Sequence, residues 1–533
     1  MKNHNLSITD ELKETDKKIA SLIDKRSRLL SRISQTRQQK NTSLTDAQLE
    51  KELWKVWKEE MKKSNQSIVR QLFTILNSLG YSRAEKGSSD NPFCLYPPHT
   101  VNLNLPAPGS VAQSHFAAFL SMFDQNKLEL NNFILNDHII ELIKLANQCG
   151  ASLSWSDNIF TSQGNHRLNL DGQNLFINHS LFNFYLFICL AIGDANRIKF
   201  NSSAQFKTVN LKHLQDFLPQ LGARLSSIEP GSYSLPVRLE SGAPLPNEIS
   251  IPDQLDPEFV KALILTAPSY EKGLTIRCNF FNDKGFAELF STMKETGIQL
   301  EVMGNSVEIH PSRTDLKQIN IPADPVLSGF LLSMAGLSQG QTVLEGHWQQ
   351  ESSESQAVLQ VLEQCGIKTN ISSDRISAKS AGPVTADFFD LSEYPSIMPL
   401  AFSLCLSSSM AAQTEILMPT ETTDYEIAVE ILDQTGYDFE AHNRGMRVFS
   451  QKKKTKSDPW NSPDPYWTLG YCLLSFRNKG ICLANPGKIT SIWPGFWRIF
   501  TNLTGKKEES KKEEINDHRG DTNEKPARRR IRT

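Results

Sequence analysis

The sequence predicts an α/β protein of two lobes, built from six helix-plus-strand repeats with three in each lobe and preceded by an all-α helical arm. The first observation is a recurring pattern, in which a helical segment ends at a glycine and two strand-like segments follow. The second is length, because 533 residues are several times a domain of ~150 residues. The third is a change of composition, since residues 1–85 are rich in Lys, Glu, Gln and Ser with apolar residues at helical spacing.

The repeat is marked by the glycines that end its helices. They are separated by 72, 75, 69 and 70 residues and are Gly150, Gly222, Gly297, Gly366 and Gly436. A glycine suits the left-handed conformation that ends a helix and turns the chain into a strand. A sixth helix ends at Gly505 with no strand pair after it. We expect the missing hairpin to come from residues 93–106, so that the two ends of the region meet and close one lobe.

The domain boundaries follow from the repeat and from composition. About 410 residues of repeat are too many for one hydrophobic core, which predicts two lobes. The C-terminal segment holds almost no apolar side chain, so we expect it to be a disordered charged tail. The predicted domains are the arm at 1–85 and the repeat region at 95–505, with lobe A at about 107–320, lobe B at about 95–106 plus 321–505, and the tail at 506–533.

Charge and cysteine content exclude several classes of function. The 57 Lys and Arg nearly balance the 59 Asp and Glu, which argues against a nucleic-acid-binding protein. The most apolar run, residues 181–192, is shorter than the ~20 residues of a membrane span, so we expect no membrane partner and a cytoplasmic location. The eight cysteines form no CxxC pair and have no histidine at ligand spacing. We therefore expect buried reduced thiols, no metal and no cofactor.

Five segments, in order along the chain, resemble motifs of the enolpyruvyl transferases and in particular of the EPSP synthase family. They are LPAPGSVAQSHFAAFLSMF (105–123), LDPEFVKALILTAP (255–268), PADPVLSGFLLSMAGL (322–337), DLSEYPSIMPLAFSL (390–404) and GKITSIWPGFW (487–497). The resemblance implies the two-lobed enolpyruvyl transferase fold. It also implies the family reaction of the shikimate pathway, which transfers an enolpyruvyl group from phosphoenolpyruvate to shikimate 3-phosphate.

The resemblance carries substrate-binding positions onto this chain, and most of them lack the family's charge. Ser110 and Asp324 lie in matching motifs. A family lysine falls on Val111, and a family arginine falls on Phe116. A second family arginine falls on Phe184, or on Tyr185 if the match to the motif is shifted by one residue.

The later motifs show the same loss. A third family arginine falls on Tyr466, and the last lysine falls on Ser491. The catalytic positions that the resemblance implies are Ser396 in place of the family's aspartate, Thr420 in place of its lysine, and Glu421, which is retained. Two phosphorylated substrates need several Lys and Arg side chains in one cleft. We therefore expect these replacements to weaken the binding of both substrates and so to reduce the family activity.

The arm resembles the all-helical chorismate mutases. Arg26 and Arg37 fall on the same face as an apolar stripe, and Asp46 and Glu50 match acidic or polar positions of that family's site. The stripe is formed by Ile19, Leu22, Ile23, Leu30 and Ile33. The resemblance implies chorismate, a dicarboxylate, as ligand and a homodimer through the N-terminal helices. The alternative is a helical arm that only dimerises.

Three functions therefore stay open at the level of sequence. The first is an EPSP synthase-type transferase. The second is a catalytically inactive scaffold or regulatory homologue of that fold. The third is a chorismate mutase carried by the arm. Each missing contact to a charged group typically costs ~1.5–3 kcal/mol, and this favours the second function for activity.

Overall fold

A computed structural model of the chain describes two parts of the arm and nearly all of the repeat region. The predicted tail, Gly505 and Asp46 lie outside the described residues. The described residues are 8–39, 47–63, the single positions 69, 72, 73, 76, 77 and 80, and 93–503 without 125, 157–158, 165–167, 230, 282–283, 314–315, 383–385, 409 and 453–457.

The arm contains helix α1 (Ile8–Gln39) and helix α2 (Ala47–Glu60). The predicted apolar stripe divides in the structure. Leu30 is buried, whereas Ile19, Leu22 and Ile33 are between 43% and 64% exposed. One face of α1 therefore packs within the arm, and another apolar face remains open.

The repeat region begins with two short strands and continues into lobe A. The strands are β1 (Phe93–Cys94) and β2 (Asn102–Pro106). The helices of lobe A are α3 (Val111–Leu120), α4 (Asp137–Gln148), α5 (Leu181–Ile192), α6 (Lys212–Phe217), α7 (Pro257–Thr266) and α8 (Lys284–Glu295). Its strands are β3 (Leu128–Asn131), β4 (Leu153–Ser156), β5 (Ile159–Ser162), β6 (Asn174–Ile177), β7 (Arg197–Ser202), β8 (Ala223–Ser227), β9 (Val237–Ser241), β10 (Glu248–Ser250), β11 (Leu274–Arg277), β12 (Leu300–Met303), β13 (Ser306–Ile309) and β14 (Gln318–Asn320).

Lobe B follows with the same kind of unit. Its helices are α9 (Pro325–Ser338), α10 (Ser353–Gln364), α11 (Met398–Ser407), α12 (Thr423–Thr435), α13 (Pro465–Leu474) and α14 (Phe496–Leu503). Its strands are β15 (Gln341–Glu345), β16 (Ile367–Ser372), β17 (Arg375–Ser380), β18 (Ala386–Asp390), β19 (Met410–Leu417), β20 (Tyr437–His442), β21 (Gly445–Lys452) and β22 (Cys482–Leu483). Short 3-10 helices lie at Ser121–Phe123, Ala204–Thr208, Leu218–Leu221, Ala267–Ser269, Pro395–Ile397 and Pro486–Ser491.

The strands form small mixed sheets. Lobe A has the orders β14-β3-β5-β4, β6-β7-β9-β8 and β10-β11-β13-β12, and lobe B has β2-β15-β17-β16 and β18-β19-β21-β20. In each sheet one edge pair is parallel and the hairpin pair is antiparallel, as in β14 with β3 and β4 with β5. One hydrophobic core joins residues between 116 and 321, and a second joins 95–107 with 323–500. The α/β class and the helical arm are as predicted.

The glycines that end the repeated helices adopt the predicted conformation. Their φ angles lie between 71° and 101°, at Gly150, Gly222, Gly297, Gly366 and Gly436. A hairpin follows each one, as the sequence pattern predicts. Only a residue without a Cβ adopts this conformation at little cost, which explains why the same residue recurs at the same place.

The start of the repeat region does not form the predicted hairpin. Instead, β2 pairs in parallel with β15, so it completes the sheet of another unit. The two ends of the region do meet, because β1 pairs antiparallel with β22. Cys94 and Cys482 face each other in that pair and form a disulfide, so the prediction that all cysteines are reduced is wrong for these two. The other six cysteines are buried thiols.

None of the helices in the described part of the chain combines the length and the apolar character needed to cross a membrane. The most apolar of them, α5, is instead buried in the core of lobe A.

Candidate functional site between the lobes

Two short segments join the lobes and run side by side. The amide of Ser110 donates to the carbonyl of Pro322 at 2.8 Å, and the amide of Asp324 donates to the carbonyl of Pro108 at 2.7 Å. Gly109 also packs against the segment that follows β3, because a Cβ at that position would lie 1.9 Å from the carbonyl oxygen of Asn132. The crossing places Ser110 at the start of α3 and Asp324 at the start of α9, on opposite sides of one cleft.

Two adjoining cavities occupy this cleft. The first cavity has a volume of about 450 Å³ and the second a volume of about 860 Å³. They share part of their walls, which we call the junction, and the junction is formed by Ser110, Glu288, Pro325 and Glu354. A ligand that extends from one cavity into the other therefore passes these residues.

The first cavity collects most of the predicted substrate-binding positions, although they come from segments that are far apart in the sequence. It is lined by Ser110, Val111, Phe116, Asp324, Ser396 and Tyr466, among other residues. Segments of both lobes thus contribute to the wall of one cavity.

Four predicted positions line neither cavity. Thr420 and the exposed Glu421 lie just before α12. Ser491 ends the 3-10 helix Pro486–Ser491, and its hydroxyl donates to the carbonyl of Lys488 at 3.0 Å. Phe184 is fully buried in the core of lobe A, so the aligned family arginine has no counterpart there.

Ser110 connects the start of α3 to a carboxylate of the junction. Its hydroxyl accepts a hydrogen bond from the amide of Gln113 at 3.2 Å and donates to Oε1 of Glu288 at 2.7 Å. Burial raises the pKa of Glu288, and the hydrogen bonds from Ser110 and Gln113 and the charge of Lys261 oppose this shift only in part.

Asp324 is buried at the same crossing. Its carboxylate accepts hydrogen bonds from the amides of Leu327 at 2.9 Å and Val111 at 3.2 Å. Burial raises the pKa of Asp324 to about 6 despite these hydrogen bonds, and the negative charge of Glu288 adds to the shift. The pKa of Tyr466 is also raised, first by burial and then by the charges of Asp324 and other nearby carboxylates. At this position, for which the family resemblance implies an arginine, the chain has a neutral phenol among acidic groups.

The charge of the cleft is acidic. Among the described residues that line the two cavities, the only Lys or Arg is Lys261. Its Nζ lies 2.7 Å from Oε1 of Glu258 and 5.6 Å from the centre of the Phe286 ring. The lining Asp and Glu residues are Glu258, Glu288, Asp324, Glu351 and Glu354. A phosphate in this cleft would meet several carboxylates and one cation that is already paired.

The buried histidine of the first cavity does not replace the missing cations. Nε2 of His115 lies 2.8 Å from Oδ1 of Asn183. The amide nitrogen of Asn183 donates to the carbonyl of His138 at 2.8 Å and to Oε2 of Glu141 at 3.0 Å, so its oxygen is the acceptor for His115. Burial lowers the pKa of His115 to about 4, and burial also lowers the pKa of His138. His115 is therefore neutral at pH 7.

The predicted arm site is only partly within the described residues. Nη2 of Arg26 donates to Oδ1 of Asn77 at 2.5 Å. The guanidinium also lies 5.9 Å from the ring centre of Trp57 and 5.6 Å from that of Phe73. Arg37 and Glu50 are half-buried on α1 and α2. Arg26 is thus seated within the arm, against two aromatic rings and a side-chain amide.

Several residues of the cleft were not found from the sequence. Glu288 lies on α8 and Trp348 lies in the loop after β15, both of which were interpreted only as parts of repeats. Lys261 and Glu354 belong to helices of different lobes. Helical spacing alone does not show which exposed face of a helix meets the other lobe. The sequence pattern therefore did not identify these residues as part of the cleft.

The fold and the cleft together define a class of protein: a two-lobed α/β protein of repeated helix-plus-hairpin units with its candidate site between the lobes. A chain of this class, the enolpyruvyl transferase NikO from Streptomyces tendae, is similar with a TM-score of 0.58 and 13% identity, over 77% of this chain and 97% of that one. EPSP synthase from Acinetobacter baumannii is similar with a TM-score of 0.63 and 14% identity, over 78% and 98% of the two chains.

The chain belongs to the EPSP synthase (3-phosphoshikimate 1-carboxyvinyltransferase) family, whose profile matches residues 95–500. A 3-phosphoshikimate 1-carboxyvinyltransferase from Nitrosopumilus maritimus is 21% identical over 396 residues, which cover 73% of this chain and 93% of that relative. One from Yersinia pseudotuberculosis is 21% identical over 430 residues, or 77% of this chain and 98% of the relative. The predicted family is confirmed, and the arm lies outside the matched residues.

Proposed function

We propose that this chain is a catalytically inactive member of the EPSP synthase family, whose cleft binds a ligand other than phosphoenolpyruvate and shikimate 3-phosphate. The observation that carries this proposal is the charge of the cleft. Five lining carboxylates stand against Lys261, and Lys261 is paired with Glu258. We also propose that the protein acts in the cytoplasm, as a scaffold or regulator of the pathway to which its relatives belong.

The size of the loss supports this proposal. Val111, Phe116 and Tyr466 line the first cavity where the family resemblance implies cations. Three missing contacts to charged groups total about 5–9 kcal/mol before non-additivity. A micromolar ligand has only about 8 kcal/mol of binding free energy in all. Nearby carboxylates would add repulsion to this loss.

The catalytic positions support the same conclusion. Ser396 lines the first cavity in place of the family's aspartate, and a hydroxyl does not exchange protons near neutral pH as a carboxylate does. Thr420 and Glu421 lie outside both cavities. The cleft therefore lacks an acid–base pair at the places where the family reaction needs one.

A coupled assay for phosphate release tests this proposal. The full chain is mixed with phosphoenolpyruvate and shikimate 3-phosphate, and the Acinetobacter baumannii EPSP synthase serves as the positive control. We expect a rate equal to the enzyme-free blank, and no calorimetric heat of binding with phosphoenolpyruvate. Turnover above the blank, or micromolar binding of phosphoenolpyruvate by folded protein, would show that the chain is a transferase.

We propose separately that the arm pairs two copies of the chain and does not isomerise chorismate. The exposed large apolar residues of α1 follow spacings of four, seven, three, seven and four residues, as in a coiled coil, and are Ile8, Leu12, Ile19, Leu22, Leu29 and Ile33. Each is at least 43% exposed. Arg26 falls in the same series, where it contacts Asn77 and the rings of Trp57 and Phe73.

Light scattering after size exclusion tests the pairing. We expect a dimer for the full chain and a monomer for the double variant Leu22→Asp, Leu29→Asp. Val56→Asp is the matched control, because Val56 is 55% exposed on α2 and lies outside the stripe. A dimer that survives the double variant contradicts the pairing. The absorbance of chorismate tests the alternative. If the unmodified chain consumes chorismate and Arg26→Ala does not, the arm is a mutase.

A further inference from the structure

A ring nitrogen in the wall of the first cavity lacks a hydrogen-bond partner. His115 lines this cavity and is 7% exposed. Its Nε2 is engaged with Oδ1 of Asn183 at 2.8 Å, whereas its Nδ1 has no hydrogen-bond partner among the described residues. Unlike the indole nitrogen of Trp348, this Nδ1 is not sealed from solvent. Because the rest of the ring is buried, Nδ1 is open toward the first cavity.

The protonation state of His115 makes its Nδ1 a hydrogen-bond acceptor. The oxygen of Asn183 accepts the hydrogen bond from Nε2, so the proton of the neutral ring lies on Nε2. Burial lowers the pKa of His115 to about 4, and Nδ1 therefore keeps its lone pair at pH 7. An acceptor in a buried site is costly without a donor, and a ligand that donates a hydrogen bond to Nδ1 would remove this cost.

The wall next to His115 is apolar and aromatic. The ring centre of Phe182 lies 5.2 Å from that of His115 and 5.9 Å from that of Phe116, and both pairs meet edge to face. Phe182 is half-buried, so part of its ring is open to the cavity. Other apolar residues of the lining include Val111, Ala112 and Leu181. This wall therefore suits a flat apolar group that can pack against aromatic rings.

Size and charge restrict the ligand further. The first cavity has a volume of about 450 Å³, whereas an apolar cavity of ~150 Å³ in another protein is already large enough to bind benzene. Glu288 and Asp324 also line the cavity and would repel an anion. A phenolic hydroxyl meets both conditions, because it donates a hydrogen bond and, with a pKa of ~10, stays uncharged near neutral pH.

We propose that the first cavity binds an uncharged phenol, whose ring packs against Phe116 and Phe182 and whose hydroxyl donates a hydrogen bond to Nδ1 of His115. The ligand thus uses the lobe A side of the cavity, where the family resemblance implies cations and this chain has apolar side chains. This inference rests on the proposed function, because it names the class of ligand for a cleft that does not bind the phosphorylated substrates.

Ligand-observed NMR titration of the full chain with 4-methylphenol tests the proposal, and toluene is the matched ligand without a hydroxyl. We expect saturable binding of 4-methylphenol with a Kd of about 1 mM or below, as for a ligand of this size. Toluene should bind about threefold to tenfold more weakly, the loss typical of one hydrogen bond. The anion 4-hydroxybenzoate keeps the phenol but adds a carboxylate, and should bind at least tenfold more weakly than 4-methylphenol.

Two variants separate the hydrogen bond from the ring contact. His115→Phe keeps a ring but removes the acceptor, so it should raise the Kd for 4-methylphenol about threefold to tenfold and leave the Kd for toluene unchanged. Phe182→Leu removes a ring contact but keeps Nδ1, so it should weaken both ligands by a similar factor of about twofold to tenfold. The matched control is His213→Phe, at an exposed residue that lines neither cavity, and it should change neither Kd.

Equal Kd values for 4-methylphenol and toluene, or no binding of 4-methylphenol at about 20 mM, would overturn the proposal. Should His115→Phe fail to give a cooperative thermal transition, the comparison of the two ligands and Phe182→Leu decide the question. Tighter binding of 4-hydroxybenzoate than of 4-methylphenol would overturn the phenol site and count against the proposed function as well, because the cleft would then accept an anion. If 4-methylphenol does not bind and the phosphate-release assay is also blank, only the phenol site is wrong and the inactive cleft stands.

Discussion

The framework of the repeats and the cleft between the lobes differ in how closely they follow the family. The five helix-ending glycines in the described part of the chain have the left-handed conformation, and the cores of both lobes are continuous. In the cleft, by contrast, Val111, Phe116 and Tyr466 stand where the family resemblance implies cations, and the surrounding charge is negative. The comparison teaches that backbone turns and apolar packing maintain this fold, while the charges that a phosphate site needs contribute nothing essential to it.

The largest expected effect is on the free energy of unfolding. It tests whether Phe184 belongs to the framework of the repeats or to the cleft. Its side chain is fully buried, and its ring centre lies 5.1 Å from that of Phe200. Phe184→Ala should reduce the free energy of unfolding by ~3–5 kcal/mol, as for a large aromatic in a core. Phe182→Ala, at a half-buried residue of the first cavity, is the matched control and should cost clearly less. If urea titrations gave equal losses of unfolding free energy for the two variants, Phe182 would belong to the framework as well.

The second effect is linked to pH and concerns Asp324. Since its pKa is raised to about 6 in the folded chain, its protonated form favours folding. The stability that this contributes is present below the unfolded pKa of ~3.9 and is lost as pH rises through about 6. The unmodified chain should therefore lose up to ~3 kcal/mol over this range, relative to Asp324→Asn.

Urea titrations across the pH range measure this difference. Removal of a hydrogen-bond acceptor for Val111 gives Asp324→Asn a constant offset that does not depend on pH. Asp194→Asn, at an exposed residue, is the control and should run parallel to the unmodified chain. If the stability of Asp324→Asn changed with pH in the same way as that of the unmodified chain, the charged form of Asp324 would not be disfavoured in the folded state.

The third effect concerns the framework alone. Gly222 has a φ of +71°, and a Cβ there would lie 2.7 Å from the carbonyl oxygen of Ala243. Gly297 has a φ of +82° with nothing within 4 Å of a Cβ. Gly297→Ala should cost ~1 kcal/mol from the backbone conformation, and Gly222→Ala should cost ~2–3 kcal/mol because contact is added. The reverse order in thermal unfolding would contradict this account of the repeat.

The smallest effect concerns the single lining cation. Lys261→Met should change the free energy of unfolding by less than ~1 kcal/mol, because its partner Glu258 is partly exposed. Urea titrations measure this change, and a loss well above ~1 kcal/mol would mean that the pair of Lys261 and Glu258 is needed to hold this part of the cleft together.

The sequence predicts the parts of this fold that depend on local rules. Helix-ending glycines at about 70-residue spacing, and the hairpins after them, follow from backbone conformation within a few residues. The segment at residues 93–106 was predicted wrongly, because β2 pairs with β15 more than 230 residues away and no local pattern specifies a parallel partner. The disulfide of Cys94 and Cys482 depends on the same kind of distant pairing.

The cleft was predictable only where a motif named its residues. Ser110, Asp324 and Ser396 were found through the family motifs and do lie on the first cavity. Glu288 and Trp348 carry no such motif, and their role depends on how two lobes face each other. Packing of this kind is a property of the tertiary structure, so the acidity of the junction became visible only there.

The disulfide between Cys94 and Cys482 turns the family region into a covalent ring. It joins residues 388 positions apart, so the oxidised chain cannot become a linear polymer even when it is fully unfolded. In the chain-entropy account, closing a loop this long lowers the entropy of the unfolded state and raises its free energy by about 6 kcal/mol. The helical arm precedes Cys94 and the C-terminal segment follows Cys482, so a break of the chain within either one would leave the ring closed.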